Sequence, residues 1–191
     1  TNHRWRTVTG GSRNYIDAVL RVVNPAVRLS SPVLGLARTP DGAVVRTKEG
    51  TRTYDAVLIA AHADEALRML EAPTADERRL LSALGYEKNT ALLHTDESML
   101  PSIQRCRASW NFVVDSQGQR HTTVYDMNRL QNLKTRRRYM VSINEFRNVA
   151  DSKVVRKIEY SHPRFDERAA RAQKELYMLK KDGPVFFSGS Y

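Results

Sequence analysis

Hydrophobic residues near the start of the chain recur three and four positions apart, which is the spacing of one face of a helix. This stripe runs over residues 12–23. Ser12 is a residue type that caps helix N-termini, and Asn24 followed by Pro25 should end the helix. The pattern therefore predicts one amphipathic helix over residues 12–23.

Short extended runs separated by tight turns follow this helix. The predicted strands are residues 27–30, 33–39, 43–48, 51–54 and 57–61. The turn signature Pro40-Asp41-Gly42 separates two of them. The last run is almost wholly apolar, as expected of a buried strand. Two helices are predicted next, over residues 64–70 and 74–84, and Thr74 with Glu77 fits a capping box at the start of the second.

From residue 87 onward the apolar positions alternate. The predicted strands are residues 89–95, 108–114, 121–127, 139–144 and 154–161. Trp110, Phe112 and Val114 would share one face, as would Tyr125 and Met127 on the next strand. Such alternation is typical of an antiparallel sheet with one wetter face. A polar helix over residues 166–179 and a short strand over 184–188 complete the pattern, which predicts a mixed α/β fold.

Composition narrows the class of protein. Of the 191 residues, 41% are hydrophobic and 27% are charged, which suits a globular chain and excludes a collagen-like or wholly disordered one. No apolar run reaches the roughly 18 residues that a membrane helix requires. The single cysteine, Cys106, excludes an internal disulfide and a metal cage built from cysteines, and it suggests a reducing cytoplasm. We expect its thiol to be inert.

Charge is distributed unevenly between the two halves. The chain carries 31 Lys and Arg against 21 Asp and Glu, a net charge of +10. Residues 1–100 contribute +1 (13 basic, 12 acidic), and residues 101–191 contribute +9 (18 basic, 9 acidic). A basic half favours polyanions, anionic membrane surfaces or acidic small molecules as partners.

Candidate chemistry is sparse. Gly10 and Gly11 precede a helix N-terminus, where they either bind an anion or only shape a turn. His94 and Asp96 have the spacing of two metal ligands, but no second pair accompanies them, so we predict an ordinary strand end and no metal site. His62 is expected to close a turn. The basic run 134–138 either meets phosphates or lipid head groups or forms a solvated loop. Spacing alone yields no catalytic constellation.

Longer stretches resemble a known family. The segment WRTVTGGSRNYIDAVL and the segment from VRLSSPVLGLARTPDG to YDAVLIAAHADEAL are similar to the interior of flavin-containing amine oxidases, a family that includes protoporphyrinogen oxidases and phytoene desaturases. The stretches ALLHTD, ASWNFV, TVYDMNRLQNL and FFSGSY resemble a bacterial branch of NAD/FAD-binding oxidoreductases. The resemblance covers nearly the whole chain and implies a partial FAD-binding Rossmann-like domain with an antiparallel-sheet substrate domain.

This resemblance implies roles for particular residues. Val33 would meet the FAD adenine through its backbone, and Gly10 and Gly11 would border the flavin. Ala60 and Ala61 would end the strand that rejoins the cofactor sheet, and Gly189 would begin the segment that approaches the pyrophosphate. The strands that carry Trp110, Phe112, Tyr125 and Met127 would cover the flavin and supply side chains to an apolar substrate cavity. The implied domains are residues 1–72 and 184–191 for FAD and 73–183 for substrate.

The family's strand–G-x-G-x-x-G–helix unit is missing from these 191 residues, which begin at Thr1 rather than Met and end at Tyr191. We therefore expect a piece of a longer enzyme that binds FAD weakly or not at all by itself, since that unit attracts the pyrophosphate. Strand 57–61 would then pair with a parallel sheet whose first strand is absent, so its edge would be unpaired unless another chain covers it. Self-association, or disorder around residues 1–30 and 180–191, would follow.

The resemblance implies that the intact enzyme transfers hydride from a small-molecule substrate, an amine or an apolar lipid-like molecule, to the flavin. The competing hypothesis is a non-catalytic basic module that binds anionic lipid or nucleic acid. We expect no nucleic-acid partner, whereas peripheral contact with an anionic membrane fits the basic half.

Overall fold

A computed structural model describes residues 6–145, 147–181 and 183–189. The chain divides into two compact units. The first comprises Thr1–Ala26 and Lys88–Tyr160, and the second comprises Val27–Glu87 and Ser161–Tyr191. Within the described ranges, no helix is both long and apolar enough to cross a bilayer. The domain limits inferred from the resemblance refer to cofactor and substrate domains and stay predictions.

The second unit is built around a small antiparallel sheet and a parallel strand pair. The sheet has the order β1 (Val33–Thr39), β2 (Gly42–Thr47), β3 (Gly50–Tyr54). The parallel pair consists of β4 (Val57–Ile59) and β10 (Val185–Phe187). The helices are α2 (Ala63–Met69), α3 (Ala75–Leu81) and α5 (Glu167–Gln173). Gly42 needs its lack of a side chain, because a Cβ there would lie 2.2 Å from the carbonyl oxygen of Tyr54 and its φ is +149°.

Apolar side chains from all of these elements except β3 form the core of the second unit. Its fully buried members include Leu36, Ala66, Leu80, Leu81 and Val185. Helix α3 begins as its sequence predicts, with the Thr74 hydroxyl accepting from Glu77 N and the Glu77 carboxylate accepting from Thr74 N.

The first unit contains α1 (Arg13–Val23) and most of a five-stranded sheet. The sheet order is β6 (Trp110–Val114), β7 (His121–Asp126), β8 (Met140–Ile143), β5 (Tyr86–His94), β9 (Val154–Pro163). A short helix, α4 (Met127–Leu130), follows β7. The β6–β7, β7–β8 and β8–β5 pairs are antiparallel, as the alternating pattern predicts. The mixed α/β prediction is confirmed.

Three sequence predictions need correction. Residues 27–30 form no strand. Ser12 lies in helical conformation and accepts no capping hydrogen bond, and Asn14 N, an amide that such a cap would bond, donates to Gly11 O instead. The predicted helix 166–179 is divided into α5 and a 3₁₀ segment, Leu176–Lys181. Strand β4 pairs in parallel with β10 and with no other strand of the described residues, which agrees with the predicted unpaired edge. The expectation of disorder falls partly on residues 1–5, 182, 190 and 191, which lie outside the described residues.

Candidate functional site

One face of the five-stranded sheet carries an open aromatic and aliphatic surface. The strand register places two rows side by side on this face. The first row consists of Trp110, Tyr125, Val141 and Leu93, and the second consists of Phe112, Thr123, Ile143 and Ala91. Trp110 and Phe112 are exposed, Ala91 is buried, and the other five are half-buried. We call these eight residues the open face.

The aromatic rings of the open face contact their cross-strand neighbours. Trp110 stacks on Tyr125 with ring centroids 6.2 Å apart, and Phe112 stacks on His121 at 5.2 Å. Trp110 and Phe112 nevertheless remain 65% and 63% exposed. Rings held in place but uncovered present a flat apolar surface to a ligand. The prediction that Trp110 and Phe112 share one face is confirmed, and the register places Tyr125 on the same face.

The opposite face of the same sheet is buried. It holds Val124 and Met140, which form a core cluster with Met99 and Leu100. Polar side chains on this face bond one another or the backbone. His94 Nε2 lies 2.8 Å from Ser142 Oγ, and the Thr122 hydroxyl donates to Ile143 O at 2.7 Å. We call this the closed face.

His94 and Asp96 are both buried, and their surroundings shift their pKa values. Burial lowers the pKa of His94, which the nearby Asp96 charge partly opposes. The pKa of Asp96 is lowered by its hydrogen bond from Lys153 Nζ at 2.9 Å, against the opposing effect of burial. Both groups therefore have partners in the fold, and within the described residues no cluster of three metal-ligating side chains exists.

The end of β7 corrects the position predicted for Met127. Asp126 ends the strand, and its Oδ1 accepts from Arg129 N, so Met127 opens α4 instead of continuing the face of Tyr125. Asp126 is fully buried and pairs with Arg129 and Arg138. The sequence offers a signal for this turn, because Asp is a residue type that often caps a helix N-terminus by accepting from the backbone amide three residues later.

The second unit brings three residues with implied cofactor roles to one sheet edge. Ala60 and Ala61 follow the carboxyl end of β4, and Gly189 follows β10. These ends are adjacent, because Ser188 N donates to Ile59 O at 2.9 Å. A cavity of about 740 Å³ lies here, lined by Leu58, Leu176, Tyr177, Leu179, Lys180, Phe186, Phe187, Ser188 and Gly189. Ligands of α/β folds bind outside the carboxyl ends of parallel strands, so this edge fits a nucleotide cofactor.

The other implied cofactor residues also have suitable backbones. Gly10 and Gly11 form the turn before α1 with φ values of +79° and +90°, which other residues rarely adopt. Val33 is the first residue of β1, an edge strand of its sheet, on which Leu36 O accepts from Glu71 N at 2.9 Å. The two glycines belong to the first unit, and Val33 belongs to the second.

His62 and Cys106 have structural surroundings of their own. The His62 ring precedes α2 and stacks on Tyr86 at 4.2 Å, and the Tyr86 hydroxyl accepts from Ala63 N at 2.7 Å. The Tyr86 pKa is raised, chiefly by burial. His62 thus lies directly before α2, with its ring packed on Tyr86. Cys106 lies exposed in a short 3₁₀ turn.

Glu145, just past β8, is the one described residue with a buried side-chain oxygen, Oε1, that lacks a hydrogen-bond partner. It lines a cavity of about 630 Å³ with Thr90, Leu92, Val149 and others. Burial raises the pKa of Glu145, so its carboxyl group favours the neutral form more than an exposed glutamate does. No sequence pattern singled out this residue.

Known proteins share the family and the fold of this chain. The model of the family described as flavin containing amine oxidoreductase matches residues 3–152. None of the curated proteins compared has a matching sequence. Among solved structures, the chain resembles a fatty acid isomerase from P. acnes that produces CLA, at 11% identity and a TM-score of 0.64, covering 94% of this chain and 47% of that one.

Two further structures share the fold. A putrescine oxidase bound to putrescine aligns at 14% identity and a TM-score of 0.61, over 95% of this chain and 47% of that one. A protein from Exiguobacterium sp. whose name is that of a protoporphyrinogen oxidase aligns at 13% identity and a TM-score of 0.59, over 94% and 46%. The chain therefore spans about half the length of the structures that it resembles.

Proposed function

Because the chain belongs to the family of flavin-containing amine oxidoreductases, we propose that it forms part of an FAD-dependent oxidoreductase whose substrate lies on the open face. The observation that carries this proposal is the exposure of Trp110 and Phe112 on a sheet whose other face is closed. Large apolar surfaces left uncovered on a soluble fold mark ligand or partner sites.

The resemblance gives several residues of the chain a role in holding FAD. We assign the adenine to the backbone of Val33, the pyrophosphate to the strand end at Gly189 and Ala60, and the border of the flavin to Gly10 and Gly11. The bound flavin would supply the redox chemistry by accepting a hydride. The chain itself would bind and orient the substrate.

The chemistry of the open face favours an apolar substrate. Its eight side chains are aromatic or aliphatic apart from the hydroxyls of Thr123 and Tyr125, and none is a carboxylate. A substrate ammonium group is usually bound by a carboxylate or by aromatic rings that enclose it, whereas the Trp110 and Tyr125 rings lie nearly parallel and enclose nothing. A hydrocarbon chain requires only an apolar surface. We therefore propose a lipid-like substrate, with an amine as the alternative.

The test compares two phenylalanines in the flavin-loaded enzyme that contains this chain. Phe112→Ala removes a ring of the open face, and Phe165→Ala removes a similarly exposed ring, 68% accessible, from the second unit. The measurement is the rate at which a fatty acid or a diamine bleaches the visible flavin absorbance without oxygen. We expect Phe112→Ala to slow reduction by the fatty acid about tenfold, since one lost ring contact is worth roughly 1.5 kcal/mol.

Phe165→Ala should leave the rate unchanged. Equal rates for Phe112→Ala and the parent enzyme would contradict the placement of substrate on the open face. Faster bleaching by the diamine would select the amine alternative. Cytoplasmic location, self-association and weak FAD binding by the isolated chain stay predictions.

A further inference from the structure

The loop that connects β7 to β8 combines free cations with exposed leucines. Residues 127–139 contain five basic side chains, namely Arg129, Lys134, Arg136, Arg137 and Arg138, and no acidic one. Every residue from Arg129 to Arg137 is exposed, and Leu130 and Leu133 are among them. We call residues 129–137 the basic loop.

The cations of this region fall into two groups. Arg129 and Arg138 pair with the buried carboxylate of Asp126, and so they neutralise a charge of the fold itself. Lys134, Arg136 and Arg137 form no ion pair or side-chain hydrogen bond with any residue that the structure describes. Three positive charges are therefore available to an outside partner.

The backbone of the loop is held in one shape by a single side chain. Asn128 Nδ2 donates to Thr135 Oγ1 at 2.9 Å and to Arg137 O at 3.2 Å, and Asn128 Oδ1 accepts from Tyr139 N at 2.8 Å. Leu133 N also donates to Asn128 O at 3.0 Å. These bonds lower the entropy that would be lost when the loop meets a partner.

We propose that the basic loop is a docking surface for an anionic lipid bilayer. Cations attract the anionic leaflet, and exposed leucines beside them gain free energy by entering its boundary. Nucleic acid would meet the same charges, but base stacking needs aromatic side chains, and residues 129–137 contain none. The leucines and the missing aromatics therefore favour lipid. This inference does not depend on the flavin chemistry proposed above.

The test measures how the protein partitions onto sedimented lipid vesicles. One set of vesicles is phosphatidylcholine, and the other contains about one third phosphatidylserine. The triple variant Lys134→Gln, Arg136→Gln, Arg137→Gln should lose about a hundredfold in partitioning onto the anionic set, because each surface cation is worth roughly fivefold. Thermal unfolding checks that the variant keeps its fold.

A matched triple variant controls for net charge. Lys48, Arg52 and Lys174 are exposed and form no ion pair with any described residue, so their change to Gln removes the same three charges elsewhere. We expect this control to lose less than about threefold. An equal loss in both triple variants would overturn the proposal, because net charge alone would then explain binding. Equal binding of the parent protein to neutral and anionic vesicles would also overturn it.

The leucines separate lipid from other polyanions. Leu130→Ser with Leu133→Ser should weaken partitioning onto anionic vesicles about tenfold while leaving the affinity for a DNA duplex unchanged. If the double variant binds vesicles as the parent does, and the duplex binds at least as tightly as the vesicles, the basic loop is a general polyanion site and the proposal fails.

Discussion

The two faces of the five-stranded sheet are made from alternate residues of the same strands, yet they differ in almost every physical respect. On the closed face, Met140 and Val124 are fully buried, and His94 is paired with Ser142. On the open face, Trp110 and Phe112 are mostly exposed. The closed face therefore provides stability, and the open face is free to provide function.

The largest difference between the closed and the open face is expected when one side chain on each face is truncated. Met140→Ala should lower the free energy of unfolding by about 3 kcal/mol, because it leaves a cavity in a closed core. Phe112→Ala removes a larger side chain but should cost less than about 1 kcal/mol, since that ring is mostly in water already. Urea unfolding measures both values. A greater loss for Phe112→Ala would show that the open face is a structural core.

A smaller effect is expected from two neighbouring threonines. The Thr122 hydroxyl is buried and bonds Ile143 O, so Thr122→Val should cost about 1 kcal/mol of unfolding free energy. Thr123→Val changes the next residue, on the open face, and should be neutral within about 0.5 kcal/mol. The same urea titration serves for both variants. Equal costs would mean that the hydroxyl bond on the closed face contributes nothing.

The smallest effect is a dependence of stability on pH. Burial lowers the pKa of His94 below the ordinary 6.5, and the Asp96 charge opposes this only in part. The unfolded chain takes up a proton near 6.5 and the folded chain only at lower pH, so stability should fall as pH drops from 6.5 towards the lower folded value. Above 6.5 the histidine is neutral in both states and contributes no slope.

Two variants identify the histidine that makes stability depend on pH. His94→Asn should flatten it, whereas His121→Gln, which changes an exposed ring beside Phe112, should retain it. The readout is the unfolding midpoint in urea across this pH range. An unchanged slope in His94→Asn would place its origin in another group.

Periodicity in the sequence predicted most of the strands, because alternation along a half-buried strand is a local signal. It placed Trp110 and Phe112 on one face correctly. It failed at Met127, where the Asp126 side chain ends the strand by capping α4, and at Ser12, where two glycines rather than a cap begin the helix. In both places a hydrogen bond or a turn overrides the pattern of apolar residues.

The chemistry of the site was less accessible to sequence reasoning than the fold was. The pairing of His94 with Ser142 joins residues 48 positions apart, and the pairing of Arg138 with Asp126 joins the two ends of the connection between β7 and β8. Such facts arise from strand register, which a single sequence does not display. The family resemblance supplied the cofactor roles of Gly10, Val33 and Gly189, and these stay predictions.

The most direct test of the central claim is a crystal structure of the flavin-loaded enzyme that contains this chain, with a substrate analogue bound. We expect the analogue to contact the rings of Trp110 and Phe112 on the open face, with the flavin beside it. An open face filled by other parts of the protein, with the analogue bound elsewhere, would contradict the placement of substrate on this face.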